Sequence, residues 1–95
     1  MVPKLLNDAE VVKRLAALRG WKREGKFIAK SFEFETFMDG IRFLNRVARV
    51  AEELDHHPDI QVRYTQVRFS IQTHSEGGLT ARDFELAKGI DGIVQ

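Results

Sequence analysis

The stretch that decides the fold lies just past the middle of the chain, where residues 52–59 read EELDHHPD. Pro58 cannot continue a helix, and the residue before a proline is disfavoured in the α region, so His57 is expected to be extended. The pattern predicts a long helix that ends at about Asp55 or His56 and a strand that begins at Asp59. Because Pro58 breaks the helix, the side chains of His56 and His57 should point in different directions.

The residues before this break have the periodicity of an amphipathic helix. Thr36 is a suitable N-cap, and Asp39 would complete a capping box. The apolar face of this helix is wider than the ~100° stripe that one packing contact needs. This width predicts a second packing partner, most simply a second copy of the chain. At 100° per residue that face consists of two neighbouring lines, Phe37, Ile41, Leu44, Ala48 and Ala51 in one and Phe43, Val47, Val50 and Leu54 in the other.

Two hairpins and two more helices are predicted around this middle helix. Capping boxes at Asn7 with Glu10 and at Thr80 with Asp83 start the first and the last helix, and Gly20 should stop the first. The order α-β-β-α-β-β-α predicts an α+β fold, in which three helices cover one face of a four-stranded antiparallel sheet. The predicted strands are 21–23, 27–34, 59–63 and 67–73.

Composition narrows the class of protein. The 95 residues predict one domain, 1–95, small enough that oligomerisation would help to stabilise it. Fifteen basic and fourteen acidic residues argue against a direct nucleic-acid partner. There are no cysteines, which excludes disulfides and thiolate chemistry. No apolar run approaches the ~20 residues of a membrane span, and no signal peptide is visible, so a cytoplasmic location is expected.

Three histidines are the residues most suited to chemistry, namely His56, His57 and His74 at the expected end of the fourth strand. Glu52 lies one turn before His56 and could orient it. Asp55 falls on the apolar side of the helix, where a carboxylate needs a partner such as a histidine.

The pattern alone leaves alternatives to catalysis. Histidines at a helix end can cap or pack, and three of them can bind zinc. The His-Glu-x-x-His spacing is absent, however, and neighbouring histidines on diverging backbones converge poorly on one ion. The basic stripe of Arg42, Arg46 and Arg49 is more typical of a solvated helix face than of a phosphate site.

The spacing of several residues between 52 and 83 resembles the pterin-4a-carbinolamine dehydratase family, also known as the dimerisation cofactor of a homeodomain transcription factor. A weaker resemblance reaches back through Trp21, Gly25 and the Phe37 helix, so it covers nearly the whole chain. The residues that carry it are Glu52, Leu54-Asp55-His56-His57-Pro58, Tyr64, Thr73-His74, Gly78-Leu79-Thr80 and Arg82-Asp83.

The resemblance implies an enzyme that removes water from a 4a-hydroxytetrahydropterin to give the quinonoid dihydropterin. This reaction recycles the cofactor of aromatic amino-acid hydroxylases and itself uses no metal or organic cofactor. It also implies an α+β fold and a homodimer or homotetramer. The family's catalytic residues fall on His56, His57 and His74, and its substrate-binding or supporting residues on Glu52, Asp55, Pro58, Thr73 and Arg82.

Histidine suits this chemistry because it titrates near neutrality and can give or take a proton. We expect His56 and His57 to share the proton transfers and His74 to position the substrate. Ile60 stands where relatives often place a tryptophan, so stacking on the pterin ring is expected to be weaker or to be supplied by another residue. The alternative is a non-catalytic oligomeric binding or assembly module, acting on a protein partner through the middle helix, but such a scaffold has no need of three histidines.

Overall fold

The computed structural model describes residues 2–93, and its elements follow the predicted order. A short 3₁₀ helix before the last α-helix is the one addition to that order. The elements are α1 (Asp8–Ala16), β1 (Lys22–Glu24), β2 (Phe27–Glu33), α2 (Phe37–Leu54), β3 (Asp59–Arg63), β4 (Gln66–Ile71), the 3₁₀ helix (His74–Glu76) and α3 (Ala81–Asp91).

The four strands form one antiparallel sheet in the order β1-β2-β4-β3. The last strand in sequence, β4, lies in the interior of the sheet, where Val67 is paired with Phe32 of β2 and with Val62 of β3. The two hairpins are therefore joined through β4. The loop that follows β4 leaves from the middle of the sheet rather than from its edge.

The core lies between one face of the sheet and the helices. Along β4 the side chains of Val67, Phe69 and Ile71 are buried, while the residues between them are at least partly exposed. Alternation of this kind is typical of a strand with one covered face. Phe43 of α2 packs on Phe32 with ring centroids 4.9 Å apart and lies 6.1 Å from Phe69. The predicted α+β arrangement, with helices on one face, is confirmed.

The helix starts follow the local sequence signals, with one exception. The capping boxes of Asn7 with Glu10 and of Thr80 with Asp83 are both complete. Thr36 caps α2 by accepting a hydrogen bond from the N–H of Asp39 at 3.1 Å. The expected return bond from Asp39 is absent, because its carboxylate pairs with Arg42 at 3.0 Å instead.

Several predicted element ends were wrong by one to a few residues: strand β1 lies one residue later than expected, and β2 ends at Glu33. Helix α1 ends at Ala16, before Gly20, which has a φ of 79° in the following turn. Helix α2 ends at Leu54. Strand β4 ends at Ile71, so His74 does not end a strand but opens the 3₁₀ helix. The strand stops because the chain turns back on itself through a bridge between Thr73 and Gly78.

The two apolar lines of α2 have different environments. Phe43 and Val47 of the second line are buried, and on the first line only its last residue, Ala51, is buried. On the first line, Ala48 is exposed and the side chain of Phe37 is 43% exposed. The wide apolar face therefore remains partly uncovered in a single chain. None of the helices within residues 2–93 is both long and apolar enough to span a membrane.

Candidate active site

The site is built around the end of α2, where the chain changes direction at Asp55. This residue is left-handed, with φ 49° and ψ 44°. Behind it, the N–H of His56 donates to the carbonyl of Ala51 at 3.1 Å, which closes the end of the helix. The left-handed turn directs His56 back toward α3 and leaves His57 outside, so the expected divergence of the two side chains is confirmed.

His56 is buried, with 8% of its surface exposed, and its partner is an acid from another helix. Its Nε2 lies 2.6 Å from Oδ1 of Asp83, the third residue of α3. Glu52, which the sequence predicted as the acid that orients His56, pairs with His57 instead. The prediction was wrong because it assumed that the helix continues to His56, whereas the turn at Asp55 rotates His56 away from Glu52.

Asp83 is fully buried and is held from three sides. Its Oδ2 accepts hydrogen bonds from the hydroxyl of Thr73 and from the backbone N–H of Thr80, both at 2.8 Å, while Oδ1 faces His56. The hydroxyl groups of Thr73 and Thr80 are 2.7 Å apart. Within residues 2–93, no buried side-chain nitrogen or oxygen lacks a partner. A buried carboxylate with this many donors is fixed in place and orients the imidazole that it faces.

The second ring nitrogen of His56 has no protein partner among residues 2–93. Its Nδ1 makes no hydrogen bond within the described part of the chain. Because no buried polar side-chain atom there lacks a partner, Nδ1 must be accessible to solvent. The open space at His56 is a cavity of about 250 Å³. With an ionised Asp83 as acceptor, the neutral ring carries its hydrogen on Nε2 and presents a lone pair at Nδ1.

His57 has the opposite surroundings. Its Nε2 lies 2.5 Å from Oε2 of Glu52, but the side chains are 56% and 77% exposed. The pair therefore lies on the rim of the cavity, in contact with water. Asp55, expected on the apolar side of α2, is also exposed. That prediction was wrong because Asp55 lies beyond the helix, where the helical periodicity no longer applies.

His74 lines the same cavity. It is exposed at the start of the 3₁₀ helix, directly after the buried Thr73. Since the hydroxyl of Thr73 donates to Asp83, the backbone that carries His74 is tied to the acid that orients His56. One buried network thus fixes the ring of His56 and anchors the backbone that carries His74.

Six of the eight predicted site residues line the same cavity. Glu52 and Pro58 do not line it: Glu52 reaches the site through His57, and Pro58 follows the turn. Gln72 and Ser75, which the sequence analysis missed, contribute polar groups to the wall. Their only sequence signal was that they flank Thr73-His74. The residues that line the cavity are Asp55, His56, His57, Gln72, Thr73, His74, Ser75 and Arg82.

Other features of the surface are less suited to acid–base chemistry. A larger cavity of about 450 Å³ lies beside α2 and contains Glu33, Asp39 and Arg42, but no histidine. Within residues 2–93, no three histidine or acidic side chains are grouped as metal ligands. His56 and His57 face different carboxylates, which separates them as ligands for a common ion.

Comparison with known proteins identifies the family. The sequence profile described as Pterin 4 alpha carbinolamine dehydratase matches residues 4–93. The chain belongs to this family. A Roseiflexus castenholzii protein named for the same dehydratase is 49% identical over 90 residues, which cover 95% of this chain and 97% of the relative. A Sulfolobus acidocaldarius protein of that name is 42% identical over 88 residues, 93% of this chain and 97% of the relative.

Two solved structures share the fold. A Brucella melitensis protein titled transcriptional coactivator/pterin dehydratase matches with a TM-score of 0.92 and 34% identity, over 97% of this chain and 100% of that one. A pterin dehydratase-like protein described as a RuBisCO assembly factor in the alpha-carboxysome matches with a TM-score of 0.67 and 25% identity. That match covers 77% of this chain and 87% of the other. The same fold is therefore found in proteins that are described with different roles.

Proposed function

We propose that this protein dehydrates a 4a-hydroxytetrahydropterin to the quinonoid dihydropterin. One observation carries the proposal: two imidazoles, each paired with its own carboxylate, diverge at one end of a cavity that a third imidazole also lines. Paired titratable groups with different surroundings are typical of acid–base sites. In the cell, the product would return to the tetrahydropterin that aromatic amino-acid hydroxylation consumes, a role that fits a cytoplasmic enzyme.

The reaction requires two proton transfers and no oxidant. The bond between C4a and the hydroxyl oxygen breaks, and this oxygen leaves as water after it receives a proton. The proton on N5 is removed, and its electron pair forms the double bond between C4a and N5. A group that accepts a proton and a group that donates one are therefore sufficient.

We assign the acceptor role to His56 and the donor role to His57. The bond to Asp83 fixes the ring of His56 so that Nδ1 presents a lone pair to the cavity, and the carboxylate stabilises the imidazolium that forms. His57 lies on the rim, where solvent can return the proton that it gives to the leaving oxygen. These roles follow from the different burial of the two rings.

The remaining wall of the cavity suits recognition of a flat polar ring. His74, Gln72 and Ser75 offer hydrogen-bonding groups to the edge of the pterin. Ile60 does not line the cavity and lies 43% exposed on β3, opposite Phe69. We therefore expect the histidine rings, rather than residue 60, to provide the flat surfaces against which the pterin packs.

The test of this function is His57→Ala, measured with freshly generated 4a-hydroxytetrahydropterin. We expect kcat to fall by about 10²-fold or more, the usual contribution of a positioned acid or base. Glu53→Ala, at an exposed position of α2, is the matched control and should leave kcat unchanged. Equal turnover in the wild type and His57→Ala would contradict the role of His57, and an inactive wild type would contradict the function.

A second candidate function is that of an oligomeric binding or assembly module. The exposed Phe37 and Met38 of α2 support it, because apolar side chains at the start of a helix are available to a partner. A related structure described as a RuBisCO assembly factor shows that a pterin dehydratase-like fold can carry such a role. An inactive wild type that binds a protein partner through α2 would favour this function.

The same face of α2 supports a homodimer or homotetramer. In a single chain Phe37 and Met38 are exposed, and Ile41 and Leu44 are only half-buried. A small domain gains stability when such a surface is covered by a second copy. Light scattering on the eluting protein should give a mass of two or four chains, and the mass of one chain would contradict this proposal.

A further inference from the structure

A cation from α3 binds the end of α2. Arg82 lies in the first turn of α3, and its Nη2 donates to the backbone carbonyls of Asp55 at 2.5 Å and of Leu54 at 3.3 Å. These carbonyls belong to the last helical residue and to its C-cap. Helix α2 has no basic residue in its own last turn, so Arg82 supplies from another element the positive charge that a helix C-terminus favours.

The end of α2 needs such support because Asp55 is not a glycine. A residue with a Cβ is disfavoured in the left-handed region, and this conformation persists only when surrounding contacts hold it. The last carbonyls of a helix also lack partners within the helix. The guanidinium of Arg82 meets both requirements, because it binds the carbonyl of Leu54 and that of Asp55, the left-handed residue itself.

We propose that Arg82 is a positioning residue, which holds the left-handed turn at Asp55 and thereby sets the directions of His56 and His57. The proposal rests on the catalytic role of these histidines. Arg82 and Asp83 are consecutive in α3: the first binds the backbone just before His56, and the second binds the ring of His56. Two adjacent side chains of α3 therefore fix both the backbone and the imidazole.

The resemblance to the family implied that Arg82 is a substrate-binding or supporting residue, without saying which of the two. Arg82 does line the cavity, so direct contact with the substrate is the competing explanation. The two roles differ in their requirements. If Arg82 only contacts the substrate, its effect does not depend on the conformation of Asp55. If Arg82 holds the turn, its effect depends on that conformation, and its removal changes the environment of the histidines even when no substrate is present.

The first experiment compares Arg82→Met with Arg49→Met, a control on α2 whose arginine is exposed and makes no side-chain hydrogen bond or ion pair within residues 2–93. We expect kcat to fall about 10- to 100-fold in Arg82→Met, the effect of misplaced catalytic groups, with little change in KM. The imidazole nitrogen resonances of His56 and His57 should shift in Arg82→Met without substrate and stay unchanged in Arg49→Met. Unchanged resonances in Arg82→Met would overturn the proposal.

The second experiment tests the dependence on residue 55. Glycine adopts the left-handed conformation without penalty, so Asp55→Gly should make the turn less dependent on Arg82. We expect Arg82→Met to lower kcat by less than about 3-fold when it is added to Asp55→Gly, since the two changes affect one turn. An equal loss in both backgrounds would overturn the proposal in favour of a substrate contact.

These measurements separate this proposal from the proposed function. If the wild type has no dehydratase activity, the function fails, while the histidine resonances still report whether Arg82 holds the turn. Arg82→Lys covers the case in which Arg82→Met does not fold, because it keeps the charge but cannot bridge two carbonyls as a planar guanidinium does. It should shift the same resonances in the same direction, and unchanged resonances there would also overturn the proposal.

Discussion

His56 and His57 are neighbours in sequence, yet they lie in two different regions of the molecule. Both rings are bonded to a carboxylate through Nε2, at 2.6 Å and 2.5 Å. Asp83, the partner of His56, is fully buried, whereas the side chain of Glu52, the partner of His57, is 77% exposed. The bond lengths are alike, so they do not distinguish the two pairs.

The surroundings of the two pairs determine what each contributes. Removing one member of a buried hydrogen-bonded pair leaves a polar group without a partner and costs more than the bond itself contributes. An exposed pair exchanges its bond for water and contributes about 0–1 kcal/mol. We therefore expect the Asp83 network to affect both folding and turnover, and the Glu52 pair to affect turnover alone. Three substitutions test this difference.

The largest effect is expected for Asp83→Asn. The amide has one acceptor oxygen in place of two, so either His56 or the donors of Thr73 and Thr80 must face an NH₂ group. We expect stability to fall by about 1–3 kcal/mol. An NH₂ group facing His56 would place the ring hydrogen on Nδ1, and kcat should fall by about 10²- to 10⁴-fold.

Urea unfolding and the dehydration assay measure the two effects of Asp83→Asn. Glu85→Gln is the control, because Glu85 is exposed on the same helix. A variant that unfolds at the same urea concentration as the wild type would show that the buried network contributes nothing to stability. The contrast between the two histidine pairs would then be wrong.

An intermediate effect is expected for Thr73→Val, which removes a hydroxyl from the network at nearly constant volume. Asp83 keeps its bond to the N–H of Thr80, so the carboxylate remains partly held. We expect a loss of about 1–2 kcal/mol and a fall in kcat smaller than that of Asp83→Asn. Thr65→Val removes a hydroxyl that bonds Glu33 in an exposed place and should change stability by less than about 0.5 kcal/mol. Equal losses in the two valine variants would contradict the importance of burial.

The smallest effect is expected for Glu52→Gln. Because this pair is exposed, the free energy of unfolding should change by less than about 0.5 kcal/mol. A fall in kcat of about 2- to 5-fold would fit an orienting bond of less than 1 kcal/mol. The difference in kcat between the wild type and Glu52→Gln should decrease as salt is added, since salt screens exposed charges. A destabilisation as large as that of Asp83→Asn would remove the distinction between the two pairs.

Local signals made much of the fold predictable. The caps Asn7 and Thr80 and the break at Pro58 act on the backbone within a few residues, so the sequence contains what is needed to place them. The end of α2 was harder, because the conformation of Asp55 depends on Arg82, which is 27 residues away. An error of one or two residues at that helix end was enough to pair Glu52 with the wrong histidine.

The site was predictable as a group of residues but not as a set of contacts. The resemblance to the family implied six of the eight residues that line the cavity. Asp83 was predicted as a helix cap and was part of the family pattern, but it was not assigned to the site, since a capping pattern does not reveal that the second oxygen of a carboxylate faces a histidine. Gln72 and Ser75 belong to a loop whose direction is set by the bridge from Thr73 to Gly78, which no local pattern predicts.

The double use of Asp83 has a consequence for how the protein loses activity. The same carboxylate caps α3 and holds the ring of His56, so fraying of the first turn of α3 also releases the imidazole. Backbone amides in that turn should therefore exchange with deuterium at a rate that follows the opening of the proposed active site. Local unfolding of the first turn of α3 would therefore abolish activity while the sheet is still folded.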